Sequence, residues 1–320
     1  MKRAAVILPY FGKKPKYLGY FLKSIEGVRL DFFWFSDIEI GRAPSNFKQF
    51  KMTFEQLRDL ISLKLCVQPV ISGGWRLCDF KPMYGKIFED YLEGYDYWGF
   101  GDCDLVYGKK VNEFLDRVLP GGYGIISLQE KFLSGPICLL RNTREMRELF
   151  QKTENWREVV EYQGSHILNF DECGGNYFEK LVSGEMSLDD CAAQRDNFSS
   201  AAWREGVNIF HETCICEDSL KDGAYVRGIS GRLFFCGQEI LVFHYIRVKV
   251  KPWFTYVESE YPNVGDFYID KTGFYASALA WNFRCLIRPC RILKYYIRRA
   301  KTVGLRHCFR RALDLVTNWR

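Results

Sequence analysis

The chain has 320 residues, 48% of them apolar and 17% aromatic, which is enough for a sizeable core. No stretch approaches the roughly 18 uninterrupted apolar residues of a membrane-crossing helix, so none is expected. The formal charge of +6 is uneven: Arg284 to Arg320 holds eleven Lys/Arg and one acid, Asp314, while the rest is net acidic, which excludes a basic, nucleic-acid-binding body.

The opening, "MKRAAVILPYFG", has a basic tip, but its apolar run is too short for a signal h-region and meets Pro9. It reads as a first buried strand, and export is not expected. The twelve cysteines are scattered, with Cys66, Cys138, Cys236 and Cys285 inside apolar runs. The spacing of Cys214 and Cys216 is not that of a zinc ribbon, so the expectation is reduced, buried thiols in a cytosolic protein.

A helix follows over Tyr17, Phe21 and Ile25, closed by Gly27. "LDFFWFSD" is a second strand and "NFKQFKMT" a short third one. Thr53 with Gln56 forms a capping box for a helix through Leu57, Leu60, Ile61 and Leu65. Pro82 suits the first turn of the next helix, whose buried stripe is Met83, Ile87, Phe88, Tyr91 and Leu92 before Gly94. Tyr95 to Gly101 is then a strand.

"YGIISL" and "GPICLLRN" are further strands. Asn142 is placed to cap "TREMRELFQKT", and Ser187 to cap "LDDCAAQRDNFSSAAWREG". "RLFFCGQEILVFHY" predicts a hairpin turning at Gly237 and Gln238. Strand alternating with helix implies an α/β fold with a mostly parallel central sheet. The simplest partition is one catalytic domain over residues 1–283 and a basic, amphipathic helical segment over 284–320.

The aromatic strand ends in Asp102-Cys103-Asp104. In open α/β sheets ligands bind beyond the carboxyl ends of strands. Two carboxylates one residue apart at such an exit can converge on Mg²⁺ or Mn²⁺, which favour oxygen ligands and bridge substrate phosphates. "DCDLV" also fits a haloacid-dehalogenase phosphohydrolase locally, with Asp102 as nucleophile and Asp104 as acid/base. In that class the motif ends the first strand, whereas here two strand–helix units precede it.

"LPYFGKKPKYLGYFLKSI", "LCDFKPMYGKIFEDYLEGYDYWGFGDCDLVYG", "LLRN" and "FDE" resemble a family of bacterial glycosyltransferase-like proteins from surface-polysaccharide gene clusters. The resemblance spans most of residues 4 to 250. That family is similar to GT-A transferases, which implies a GT-A-like nucleotide-sugar fold with Asp102 and Asp104 holding Mn²⁺ or Mg²⁺ on the donor diphosphate. It also implies Cys103 beside the donor, Asp79 and Lys81 as donor contacts ahead of their helix, and His244 as a late third ligand. Where the family tends to carry Gly-His before its "LLRN" text, this chain has Pro136 in place of the His.

Pro9, Tyr10 and Phe11, at the exit of the first strand, are placed to line a nucleotide pocket. Asp171 and Glu172 precede a Gly-Gly loop, and one of them would be the base that an inverting transfer needs. His166 stands near them, and His211 reads as a core histidine. Arg247, Lys249 and Lys251 follow His244, and the two lysines are candidate clamps on the diphosphate.

The basic tail, which includes His307, mixes Arg/Lys with Leu, Ile, Tyr and Phe at helical spacing. That pattern suits the surface of an anionic membrane and a lipid-linked acceptor. The expectation is a metal-dependent sugar transferase acting on a nucleotide-sugar donor and a glycan or lipid-linked acceptor. It would be cytoplasmic and peripheral at the inner membrane face, with no nucleic-acid partner. The rivals are the phosphohydrolase and a non-catalytic, membrane-associated glycan-assembly protein.

Overall fold

A computed structural model describes residues 2–172, 175–194, 196–221 and 223–303. His307 and the rest of the tail beyond Val303 lie outside the described residues. The chain divides into two compact units. One takes the residues up to 14 with 27–103 and 112–214; the other takes 15–26, 104–111 and the described residues from 215 onward.

The first unit is built on a seven-stranded sheet in the order Phe47–Lys51, Asp31–Ser36, Ala4–Pro9, Tyr97–Gly101, Ile137–Arg141, Ile125–Ser127 and Ile209–His211. The first four run parallel. Ile137–Arg141 is antiparallel to both its neighbours, and Ile209–His211 is parallel to Ile125–Ser127. Ala4–Pro9 and Asp31–Ser36 are buried almost throughout, which is why they read as unbroken apolar runs rather than alternating ones. Because Ile7 pairs with Phe100 in parallel, the exits at Pro9 and Gly101 lie at the same end of the sheet.

Helix Phe54–Leu65 carries the expected capping box between Thr53 and Gln56. Pro82 does not start an α-helix: it lies inside a 3-10 helix, Gly74–Met83, followed by one α-turn, Tyr84–Ile87. Met83, Ile87, Phe88 and Leu92 are buried, but Tyr91 is exposed. The cap of Arg144–Glu148 is Thr143, whose hydroxyl accepts from the Met146 N–H. Asn142 instead donates to the Leu92 and Tyr95 carbonyls. Ser187 caps Leu188–Gln194, accepting from the Asp190 N–H. The single helix expected beyond it is two, because Asn197 accepts from the Ser200 N–H and starts Phe198–Arg204 afresh.

The second unit has a five-stranded sheet in the order Gln238–Glu239, Arg232–Phe235, Val226–Ile229, Phe267–Asp270 and Gly273–Tyr275. The hairpin turns one residue earlier than its sequence suggests, at Cys236 and Gly237, whose φ angles are +46° and +88°. Both central residues of such a tight turn need the left-handed region, which suits Gly237. Val242–His244 leaves this hairpin and joins a three-stranded sheet between Leu105–Tyr107 and Ile215–Cys216.

Helix Arg284–Val303 buries Ile292 and Tyr296, and its Arg291 donates to the Thr272 and Phe274 carbonyls. Of the cysteines expected inside, Cys138 is buried, whereas Cys66, Cys236 and Cys285 are exposed. Cys66 and Cys236 occupy a helix end and a turn, where an apolar neighbourhood in sequence brings no burial. Among the described residues no helix is long and apolar enough to cross a membrane.

Candidate functional site

In the first unit, the exit of Tyr97–Gly101 is held by the Asp102 N–H, which donates to the Pro136 carbonyl at 2.9 Å. Lys81, nearly buried, donates to the Gly135 carbonyl and pairs with Asp102 Oδ1, both at 2.8 Å. Its Nζ is 3.8 Å from Asp171 Oδ2. Burial alone would lower the Lys81 pKa, but Asp102, Cys78 and Asp171 raise it well above the usual value, so the ammonium persists. Asp171 is the opposite case: burial pushes its carboxyl up to about 6, helped by Asp102 and Asp79 and opposed by Lys81.

Glu172 accepts the Gly135 N–H at 2.9 Å. A Cβ at Gly135 would stand 2.6 Å from Glu172 Oε1 and 2.7 Å from Asp171 Oδ2, so a side chain here would push one or both carboxylates aside. Pro136, at the departure from the family pattern, contributes its backbone carbonyl.

Asp79 and its partner Arg76 are 0% exposed. The carboxylate pairs with Arg76 and accepts the Leu168 N–H at 3.0 Å and the Phe170 N–H at 3.4 Å. Those are the surroundings of a structural group, which hangs the segment leading to Asp171 on the Gly74–Met83 helix. Tyr10 stacks on Trp34 with centroids 5.1 Å apart, Phe11 packs on Phe54, and Pro9 is half-buried at the strand end. His166 is exposed against the Tyr162 hydroxyl, and His211 Nδ1 faces the Gln129 carbonyl at 3.2 Å.

In the second unit, strand register explains the histidine. His244 pairs with Leu105, immediately after Asp104, and Phe243 pairs with Cys216, immediately before Glu217. His244 Nε2 is therefore 3.2 Å from Asp104 Oδ2, and its Nδ1 is 2.6 Å from Glu217 Oε1. Lys249 also pairs with Asp104, whereas Lys251 is exposed. Burial would raise the Asp104 pKa, but the hydrogen bond and charge of His244, with the Lys249 ammonium, hold it far below the usual carboxylate range.

These donors fit a small divalent ion. When the imidazole is neutral and donates its Nδ1–H to Glu217, Nε2 turns a lone pair toward a carboxylate oxygen, and a divalent cation can then take the place of the imidazolium proton between them. Asp102 precedes Asp104 by two positions in the chain, so a second carboxylate is available from the same strand exit. Two carboxylates with one imidazole suit Mn²⁺ as well as Mg²⁺. Glu217 carries no signal in the sequence; only the strand pairing identifies it.

No curated protein matches the chain. Among solved structures it is similar to mouse xyloside xylosyltransferase 1 in its apo form, with 12% identity over 76% of this chain and 96% of that one, at a TM-score of 0.37. It is also similar to the glycosyltransferase GlyE of Streptococcus pneumoniae TIGR4, with 12% identity over 58% of this chain and 50% of that one, at a TM-score of 0.28. Residues 6–277 match the model of a family, and the chain belongs to that family, the family of unknown function DUF6625.

Proposed function

We propose that this protein is a metal-dependent glycosyltransferase of GT-A-like fold, moving a sugar from a nucleotide-sugar donor to a glycan acceptor in surface-polysaccharide synthesis. The observation that carries the reading is Asp104 against His244, itself held in place by Glu217, with Asp102 at the same strand exit in the sequence. A divalent ion bound there would neutralise charge on the donor diphosphate as it leaves. Asp104 and His244 would hold the ion, with Asp102 two positions earlier in the chain as a further ligand; Lys249, already on Asp104, and Lys251 beyond it would be the cations for the departing phosphates. Cys103, Pro9, Tyr10, Phe11 and Lys81 make up the donor side.

In the proposed inverting reaction, Asp171 is the base. Its raised pKa leaves it ionised at neutral pH yet basic enough to take a proton. The acceptor hydroxyl oxygen forms the new bond to the anomeric carbon as its proton passes to Asp171. The bond from that carbon to the diphosphate oxygen breaks, and the electron pair leaves with the nucleotide. Glu172, engaged on Gly135, shapes the loop beneath Asp171. A lipid-linked acceptor and a peripheral place at the inner membrane face complete the reading.

The test is turnover with a panel of UDP-, GDP- and CMP-sugars, with and without Mn²⁺. The reading fails if no nucleotide sugar binds and Asp104→Ala changes nothing. The Lys81–Asp102 ion pair also suits a phosphohydrolase with Asp102 as nucleophile. An aspartyl-phosphate mimic trapped with beryllium fluoride would favour that rival. Normal glycan assembly in cells carrying Asp102→Asn/Asp104→Asn would favour a non-catalytic role.

A further inference from the structure

Helix Arg284–Val303 and the short helix before it carry apolar side chains on the face opposite their packing contacts. Leu279, Phe283, Leu286, Leu293 and Ile297 are between 42 and 68% exposed, and Cys290, between them, is exposed too. Steps of three and four residues put all of them in one stripe along the helix. Such a stripe is the seam of a coiled coil or the wedge of a helix lying in a membrane interface. Arg284–Val303 has seven Lys/Arg and no acid, so a second copy on this seam would set like charges together. An anionic surface meets the same charges with the opposite sign.

Beside the stripe the second unit has a cavity of about 610 Å³, lined by Leu286 and Cys290 from the stripe and by Lys16, Trp253, Lys294 and Arg298. No acidic side chain lines it among the described residues. The Trp253 ring packs edge-on against Tyr295, and its Nε1–H is buried without an acceptor. An unused buried donor among uncompensated cations asks for an anion, and Leu286 leads from the cavity onto the apolar stripe.

We propose that this groove binds the phosphate of a membrane phospholipid while the stripe from Leu279 to Ile297 lies in the interface of an anionic bilayer. Lys16, Lys294 and Arg298 surround the phosphate and Trp253 Nε1–H donates to it. A nucleic acid would satisfy the cations but offers no hydrocarbon to the stripe. The proposal deepens the peripheral placement given above but depends on the second unit alone, so it is read without donor, metal or turnover.

The experiment is co-flotation of the full chain with mixed phosphatidylcholine–phosphatidylglycerol vesicles, compared with phosphatidylcholine alone. Binding is expected only to the mixed vesicles. Lys294→Gln/Arg298→Gln is expected to weaken it roughly 25-fold, at about fivefold per removed cation. Leu286→Ser/Leu293→Ser is expected to lose it with every cation in place, Trp253→Phe to weaken it, and Lys294→Arg to keep it. An unchanged circular dichroism spectrum and melting temperature confirm folding of each variant. Equal flotation with both vesicles, or anionic binding indifferent to the leucine changes, would overturn the proposal. So would an oligonucleotide or inorganic phosphate that binds the protein while vesicles do not. Loss of sugar transfer with vesicle binding intact would sink the functional reading and leave this one standing.

Discussion

Asp79→Asn separates a structural carboxylate from a donor contact. Asp79 and Arg76 are both fully buried, so removing the negative charge leaves a guanidinium uncompensated in the interior. Breaking one side of such a pair costs about 3–5 kcal/mol. Asp79→Ala also strips the acceptor from the Leu168 and Phe170 N–H groups, at about 1–3 kcal/mol for each one left unsatisfied. Replacing both charges, as Arg76→Met/Asp79→Leu, is expected to lose less than Asp79→Ala, because both leave the two N–H groups without their acceptor but only the single change leaves an unpaired charge. Urea unfolding followed by circular dichroism reads all four proteins. A loss below about 1 kcal/mol for Asp79→Asn, with nucleotide-sugar affinity falling instead, would refute the reasoning and return Asp79 to the donor site.

Glu217→Gln is expected to weaken Mn²⁺ binding about 10- to 100-fold in calorimetry, because Glu217 orients His244 without ligating, whereas His244→Ala and Asp104→Asn should abolish it. Asp171→Asn is expected to lower turnover about 10²- to 10⁴-fold with donor binding kept, and wild-type turnover should fall as pH drops below about 6. The accompanying stability change has the opposite sense. The folded state raises this carboxyl, so its contribution is full below the unfolded value and is lost as pH rises through the folded one. The stability of Asp171→Asn minus wild type should therefore rise with pH across that range, and a difference that falls with pH, or no difference at all, would contradict that burial. Gly135→Ala should impair transfer, read as a loss of turnover with the circular dichroism spectrum unchanged, since the nearest atoms its Cβ would meet are Asp171 and Glu172 carboxylate atoms.

Much of the frame was legible from local pattern. The apolar runs at Ala4–Pro9 and Asp31–Ser36, the Thr53–Gln56 box and the exit of an aromatic strand at Asp102 are written within a few residues each, because period, caps and strand ends are short-range properties. Where two local signals competed, the sequence misled. Asn142 and Thr143 both resemble caps, and the choice depends on carbonyls at Leu92 and Tyr95, about fifty residues away. Pro82 is compatible with the start of an α-helix and equally with the 3-10 turn it occupies.

By itself the sequence marked out the acids, the late histidine and the basic tail, and so the chemistry the chain has to offer. Only the tertiary structure decided their partners. Strand register set His244 against Leu105 and Cys216 beside it, which brought in Glu217; burial turned Asp79 into an anchor and raised Asp171; and Gly135 was revealed as the floor under two carboxylates. The physical reason is distance along the chain. Side-chain chemistry is a property of single residues, but desolvation, charge pairing and register depend on groups tens of residues apart that meet only when the sheets form.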